Sequence, residues 1–232
     1  MSSESSEDLF RYLEQTRELF GDELYHRPPE SFVSDSGDQS FESGQYTSAN
    51  LDKYREEIQS CQKCLLGETR QKFVFGVGDP HANLMLIGEA PGAEEDKLGE
   101  PFVGRAGKLL DKILAAIGRS REKDVFICNV LKCRPPKNRD PLPSEVELCE
   151  SYLIHQIHLI KPKLIVALGR VAGKTLLKVE EPLKAMRGKL HDYHGTPLIV
   201  TYHPAALLRN SGFKPPTWED FKWIRSILEG EQ

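Results

Sequence analysis

The cysteines carry the most specific chemistry in this sequence: Cys61, Cys64, Cys128, Cys133 and Cys149. Cys61 and Cys64 form a C-x-x-C within "SCQKCLLGETRQ" (60–71). Such a pair is a redox couple when it directly follows a strand at the start of a helix. Here it follows the helical stretch "LDKYREEIQS", well before the first clear strand. A four-cysteine zinc site presents two short C-x-x-C knuckles, whereas Cys133 and Cys149 are sixteen residues apart. An iron–sulfur cluster accepts one close pair and two separate ligands, because the fold brings them together. Spacing alone leaves cluster and zinc equally open. Cys128 stands apart: in "VFICNV" it lies inside an apolar run, where a free cysteine behaves as a small hydrophobe.

The elements that must position these groups show in four apolar runs: "NLMLIGEA" (83–90), "DVFICNVL" (124–131), "KLIVALG" (163–169) and "PLIVTYH" (197–203). Each is nearly continuous rather than alternating, the pattern of parallel strands covered on both faces. Helical patterns lie between them at 104–117, 144–160 and 170–178. The expected fold is α/β, a three-layer α/β/α sandwich around a mostly parallel four-stranded sheet. A further strand at 189–194 pairs with 197–202 through the Gly195-Thr196-Pro197 turn. Ligands of such sheets bind outside the carboxyl ends of the strands. The residues found there are Gly88-Glu89-Ala90-Pro91-Gly92, then Asn129 and Cys133, then His203-Pro204.

Composition sets the frame. Charged residues make up 28% of the 232 and hydrophobic ones 39%, ordinary for a globular protein. No apolar run reaches the roughly 20 residues of a membrane span, and "MSSESSEDLF" lacks the basic and apolar regions of a signal peptide. A cytoplasmic protein is expected, a compartment in which cysteines serve metals or catalysis more often than disulfides. The net charge of −4 is uneven: residues 1–50 carry −8 and the remainder +4. A mildly basic body suits a polyanion ligand. Residues 5–25 read as an amphipathic helix capped by Ser6, with Leu9, Leu13, Phe20 and Leu24 near one face. Residues 27–50 read as a Pro/Ser/Gly-rich linker. The expected division is therefore an acidic N-terminal region, 1–50, and a body, 51–232. The helix is a candidate for a protein partner.

Three stretches in order, "GEAPGAEEDKLGEPFVGRAGKLLD" (88–111), "CNVLKCRPPKNRDP" (128–141) and "YHPAALLRN" (202–210), together with the cysteine spacing, resemble family 4 uracil-DNA glycosylases, the iron–sulfur type. The resemblance covers about residues 51–228. It implies a uracil-DNA glycosylase fold and a [4Fe–4S] cluster held by Cys61, Cys64, Cys133 and Cys149. It also implies a monomer acting on uracil-containing DNA, single- or double-stranded, in the nucleoid-associated cytoplasm. A related group cross-links to DNA through a histidine in an inserted basic loop. "LKCRPPKNRDPLPS" has no such insertion, so turnover is expected.

Under that resemblance the residues take roles. Cutting the N-glycosidic bond needs a flipped nucleotide, a donor to the pyrimidine O2 and a positioned water. His203 is the expected donor. Asn129 is expected to read uracil N3–H and O4 with its amide, and Phe102 to stack on the base. The backbone of Gly88, Glu89 and Ala90 is expected to approach the base closely. Glu89 or Glu95 orients the water, with Glu94 and Asp96 as reserves. Leu207 or Leu208 fills the vacated stack, Arg209 holds phosphate, and Lys132, Arg134, Lys137 and Arg139 form a second basic loop. No lysine is placed as a Schiff-base nucleophile, so strand cleavage is not expected.

Three stretches resemble other sites without meeting their requirements. "GRVAGKT" (169–175) has three residues between its glycines where a P-loop has four. His155 and His158 lack a third ligand, and "HDYH" (191–194) reads as a hairpin edge.

Overall fold

The computed structural model describes residues 50–230; the expected helix at 5–25 and its linker lie outside them. Asn50 caps the first helix, α1 (Leu51–Ile58), by accepting the Lys53 N–H at 3.0 Å. A short helix, α2 (Leu66–Thr69), follows the C-x-x-C. The body then alternates. β1 (Val77–Gly78) and β2 (Leu84–Gly88) precede α3 (Ala93–Leu98) and α4 (Arg105–Ala116). β3 (Val125–Asn129) leads into the long α5 (Pro143–Ile160), and β4 (Leu164–Leu168) into α6 (Arg170–Leu177) and α7 (Leu183–Met186). The hairpin β5 (His191–Tyr193) and β6 (Thr196–Thr201) is followed by α8 (Pro204–Arg209) and α9 (Lys214–Glu229).

The sheet has six strands in the order β1-β3-β2-β4-β6-β5. Its centre, β3-β2-β4-β6, is parallel, and the two edge strands are antiparallel. The expected four-stranded sheet is thus the parallel core of a larger one, and the expected hairpin forms its β5 edge. β1 is two residues long, too short to leave a periodic signal.

Every residue of β2, β3 and β4 is buried, and their side chains divide by parity between two cores. Met85, Ile87, Phe126, Cys128, Ile165 and Ala167 face α1, α5 and α6 through Tyr54, Leu153, Ile157 and Leu176. Leu84, Leu86, Val125, Ile127, Leu164 and Val166 face α4, α8 and α9 through Leu110, Leu114, Leu207, Phe221 and Ile224. Cys128 is fully buried in the first core, as its apolar run requires. The chain winds outward from β2 on both sides, so the strand order reverses between β2 and β4. A crevice at the carboxyl ends is the consequence.

The sequence reading did not include α9, although its signals are present. Pro215 and Pro216 occupy the first turn and Gly230 closes the helix in the left-handed region.

Candidate active site

The parallel register brings Gly88 level with Asn129 and Leu168 level with Thr201. The next residues of each strand therefore emerge along one edge. Asn129 is buried, and its amide makes no hydrogen bond to another described residue. Its Oδ1 lies over Gly88, where an added Cβ would approach to 2.4 Å. The same Cβ would meet the Phe102 ring at 2.8 Å. Gly88 is thus the spot where the amide and the aromatic ring converge on the backbone.

Phe102 has a φ of +54°, a conformation an aromatic residue adopts only when its surroundings impose it. Those surroundings are explicit. Arg121 donates to the carbonyls of Pro101 (3.2 Å) and Phe102 (3.1 Å) while Asp111 holds its guanidinium at 2.7 Å. On the other side α4 presents Gly107, where a Cβ would strike the Phe102 carbonyl. Glu95 Oε1 accepts the N–H groups of Val103 (3.0 Å) and Gly104 (3.2 Å), holding the backbone that leads into α4.

His203 caps α8. Its Nδ1 accepts the Ala205 N–H at 3.1 Å, which leaves the proton of the neutral ring on Nε2. The ring stacks on Phe102 with centroids 5.4 Å apart and planes 29° from parallel. Gly169, at φ +98°, lets β4 turn away beneath it, since a Cβ there would meet His203 Cβ at 2.9 Å. Burial, reinforced by the positive charge of Arg209, pushes the imidazole down to about 4 against the pull of Glu95. The ring is neutral at physiological pH. Glu89, directly after β2, has its carboxyl raised to about 7, first by burial and then by the neighbouring Asp140 carboxylate, against Arg170.

The reserve acids have other partners. Glu94 pairs with Lys97 at the surface, and buried Asp96 accepts the Gln71 N–H at 2.9 Å. Of the two leucines of α8, Leu207 is in the core and Leu208 is exposed, so only Leu208 is available as a wedge. Arg209 is exposed beside it. The expected basic loop is only partly a surface. Arg134 bonds Asn138 and Arg139 forms a two-point ion pair with Glu145 at the start of α5. Lys132 corrects the expectation outright. It is fully buried, its ammonium donating to the Asn129 carbonyl and to Gln156 Oε1, both at 2.7 Å, and it faces no phosphate.

Cys61, Cys64, Cys133 and Cys149 line one hollow, together with Leu66, Phe73, Leu131 and Tyr152. Arg70 donates to Cys133 Sγ at 3.2 Å and to the Cys61 carbonyl at 2.7 Å. Burial holds the thiols of Cys133 and Cys149 above their ordinary value, and each is raised further by its neighbours' sulfurs. Among the described residues no group of His, Cys, Asp or Glu is arranged to hold a single metal ion. Four thiols around an apolar hollow fit an iron–sulfur cluster, which is bulkier than one ion and is commonly held by four cysteine thiolates.

The uracil DNA glycosylase superfamily matches residues 75–223 of this chain. The type-4 uracil-DNA glycosylase of Archaeoglobus fulgidus is 44% identical over 191 residues, covering 79% of this chain and 96% of that protein. The type-4 enzymes of Sulfurisphaera tokodaii (46% over 186 residues) and Saccharolobus solfataricus (44% over 191) match 77% and 78% of the chain and 84% and 88% of their own lengths. The chain belongs to the type-4 uracil-DNA glycosylases.

Within that family the residues split by how visible they are in sequence. Gly88, Phe102, Asn129 and His203 lie together at one strand edge, and the four cysteines line one hollow. Arg70, Gly107, Arg121 and Gln156 were missed, since each acts by holding a backbone carbonyl or leaving space for one. The P-loop-like stretch is a packing device: Gly173 lies against Val200 and Met186, with no open phosphate cradle. His155 packs at a tilt against Tyr54, with ring centroids 4.3 Å apart, and His191 bonds the Met186 carbonyl. No described helix is long and apolar enough to cross a membrane.

Proposed function

We propose that this chain removes uracil from DNA by hydrolysing the C1′–N1 bond of a flipped deoxyuridine, opening base-excision repair at an abasic site. The observation that carries the mechanism is the Nδ1 bond of His203 to Ala205, because it commits Nε2–H to the ligand side. As the bond breaks, negative charge develops on uracil O2, and a neutral Nε2–H donor stabilises it without giving up its proton. Asn129 answers uracil with one acceptor for N3–H and one donor for O4; cytosine offers the reverse and leaves both unpaired. Phe102 supports the base face. Water adds its oxygen to C1′ as uracil departs, and Glu89 takes the proton that water loses. Glu95, engaged with Val103 and Gly104, holds the Phe102 loop and its charge faces His203.

The four cysteines fit a [4Fe–4S] cluster, which when bound would tie the segment between α1 and α2 and the second turn of α5 to the segment after β3. Leu208 enters the vacated stack and Arg209 meets phosphate. The enzyme acts as a monomer on single- or double-stranded DNA in the nucleoid-associated cytoplasm, and residues 1–50 form a separate region for a protein partner.

Base release from matched oligonucleotides bearing one uracil or one thymine tests the reading, using protein purified without air. An alkali-labile site at uracil alone, lost in His203→Ala, is expected. A cluster-loaded protein that binds DNA and releases nothing overturns the catalytic reading in favour of a non-catalytic iron–sulfur DNA-binding module.

A further inference from the structure

The ladder of β6 ends at Thr201, the register partner of Leu168. His203 comes two residues later, so the strand alone does not fix where its ring lies. Thr201 is fully buried, and its hydroxyl donates to Asp220 Oδ2 on α9. Asp220 is buried too, and Arg187 holds it at two points, Nε and Nη2 donating to the two carboxylate oxygens at 3.0 and 2.9 Å. Nη2 also donates to the Pro216 carbonyl at 2.8 Å. One guanidinium at the end of α7 thus ties the end of β6 to the first two turns of α9.

The same guanidinium reaches the residue between Thr201 and His203. Its central carbon lies 4.6 Å from the centroid of the Tyr202 ring, within cation–π distance. Tyr202 also stacks on Phe213, with centroids 4.5 Å apart and planes 14° from parallel. Phe213 is tied to α9 in turn, its carbonyl accepting the Thr217 hydroxyl at 2.7 Å. A lysine at 187 would supply the charge but neither the two-point bond nor the flat face. A buried ion pair stabilises a fold little more than well-packed apolar side chains of the same volume. What this pair supplies is direction, because it contacts the two residues that lead into His203.

We propose that Arg187, through Asp220 and Tyr202, is a positioning residue for His203. It fixes the two residues that carry the ring from β6 into α8, and with them the Nδ1 bond to Ala205 and the stack on Phe102. This rests on the reading of His203 as the donor to uracil O2. Arg187 acts on turnover through His203, so its loss costs nothing more where His203 is already gone.

The test is a double-substitution cycle on the full chain, purified without air: wild type, Arg187→Met, His203→Ala and the two together. Single-turnover release from a uracil oligonucleotide is measured at saturating enzyme and normalised to the folded fraction. Arg187→Met is expected to slow release about 10–100-fold, the scale of a misplacement of about 1 Å. In the His203→Ala background it should slow release no further. A general loss of packing would lower both backgrounds alike, so equal losses overturn the proposal. The second readout is the 15N spectrum of histidine-labelled protein, in which the wild-type His203 ring shows an acceptor Nδ1 and a protonated Nε2. Arg187→Met should shift this ring toward a mixture of tautomers, and an unchanged His203 signal overturns the proposal. If Arg187→Met does not fold, Thr201→Val takes its place, since it removes only the hydroxyl and leaves the ion pair. A folded Thr201→Val with wild-type release and the wild-type His203 signal overturns the proposal. His203→Ala that releases uracil at the wild-type rate overturns the donor reading instead, and the ring signal then decides the positioning role by itself.

Discussion

A Cβ on Gly88 would lie 2.4 Å from Asn129 Oδ1, so the amide proposed to read the base occupies the space that a side chain at Gly88 would fill. The two residues are register partners on adjacent parallel strands, and neither strand end can move without disturbing the sheet. Gly88→Ala must displace the amide, the Phe102 ring, or both. A misplacement of about 1 Å at a reacting centre costs on the order of 100-fold. We expect kcat/KM for uracil release to fall by roughly that factor, with far-ultraviolet circular dichroism unchanged. Wild-type turnover in Gly88→Ala would remove the close approach as a requirement.

In the proposed mechanism His203 donates from a neutral ring. Its value of about 4 means that it gains no proton across the working range, so it contributes no limb to the pH profile between about pH 5 and 8. His203→Ala should lower kcat by about 10²–10³-fold, the magnitude of a lost donor to developing negative charge. Single-turnover assays check this directly.

In the same proposal Glu89 supplies the limb instead. A carboxyl that titrates at about 7 is half ionised near neutrality, and only the ionised form takes a proton from water. Turnover should rise with pH through about 7 and level off above it, and Glu89→Gln should abolish this limb along with most of the activity. The sign for stability is opposite. The folded value lies above the ordinary 4.5, so the folded state binds this proton more tightly than the unfolded chain does. The Glu89 contribution is complete below about pH 4.5 and is lost as pH rises through 7. Glu89→Gln should therefore melt above wild type at pH 8 and close to it at pH 4.5. A limb that survives the substitution would assign the base elsewhere.

The parts legible in the sequence are those whose signal is local. The four parallel strands show because burial on both faces leaves an uninterrupted apolar run, and the strand ends then point to Gly88, Asn129 and His203. Lys132 was misread for a physical reason. A lysine among Arg134, Lys137 and Arg139 has the local pattern of a basic surface, and only the tertiary approach of Gln156 reveals burial. Leu207 and Leu208 were inseparable for a similar reason: helical phase distinguishes them only once the core-facing side of α8 is known. Arg121 lies nineteen residues from the Phe102 carbonyl it holds, and no spacing rule links the two.

Arg121 fixes Phe102 in a backbone conformation the residue would otherwise leave. Replacing it with methionine keeps the aliphatic stem and removes the donors to Pro101, Phe102 and Asp111. The loop then relaxes, and base stacking worth about 1–3 kcal/mol is lost, a factor of roughly 5–150 in binding. Stacking serves ground state and transition state alike, so the loss should fall on KM more than on kcat. Steady-state kinetics on a single-stranded uracil oligonucleotide distinguish the two, and an unchanged KM would show that Phe102 holds its place without Arg121.

Leu207 and Leu208 are neighbours with opposite environments, one packed against Leu110 and Phe221 in the core and the other 43% exposed. Leu207→Ala opens a cavity and should cost about 2–5 kcal/mol of stability in denaturant unfolding. Leu208→Ala should change stability by no more than about 0.5 kcal/mol. Its effect belongs to the substrate. In duplex DNA the flipped nucleotide leaves a gap in a stacked column, and filling that gap offsets the cost of unstacking. In a single strand there is little stacking to restore. Leu208→Ala should therefore slow release of uracil from a duplex much more than from the same strand alone, and the ratio of the two rates is the quantity to measure. Equal slowing on both substrates would mean that Leu208 contacts DNA without acting as a wedge.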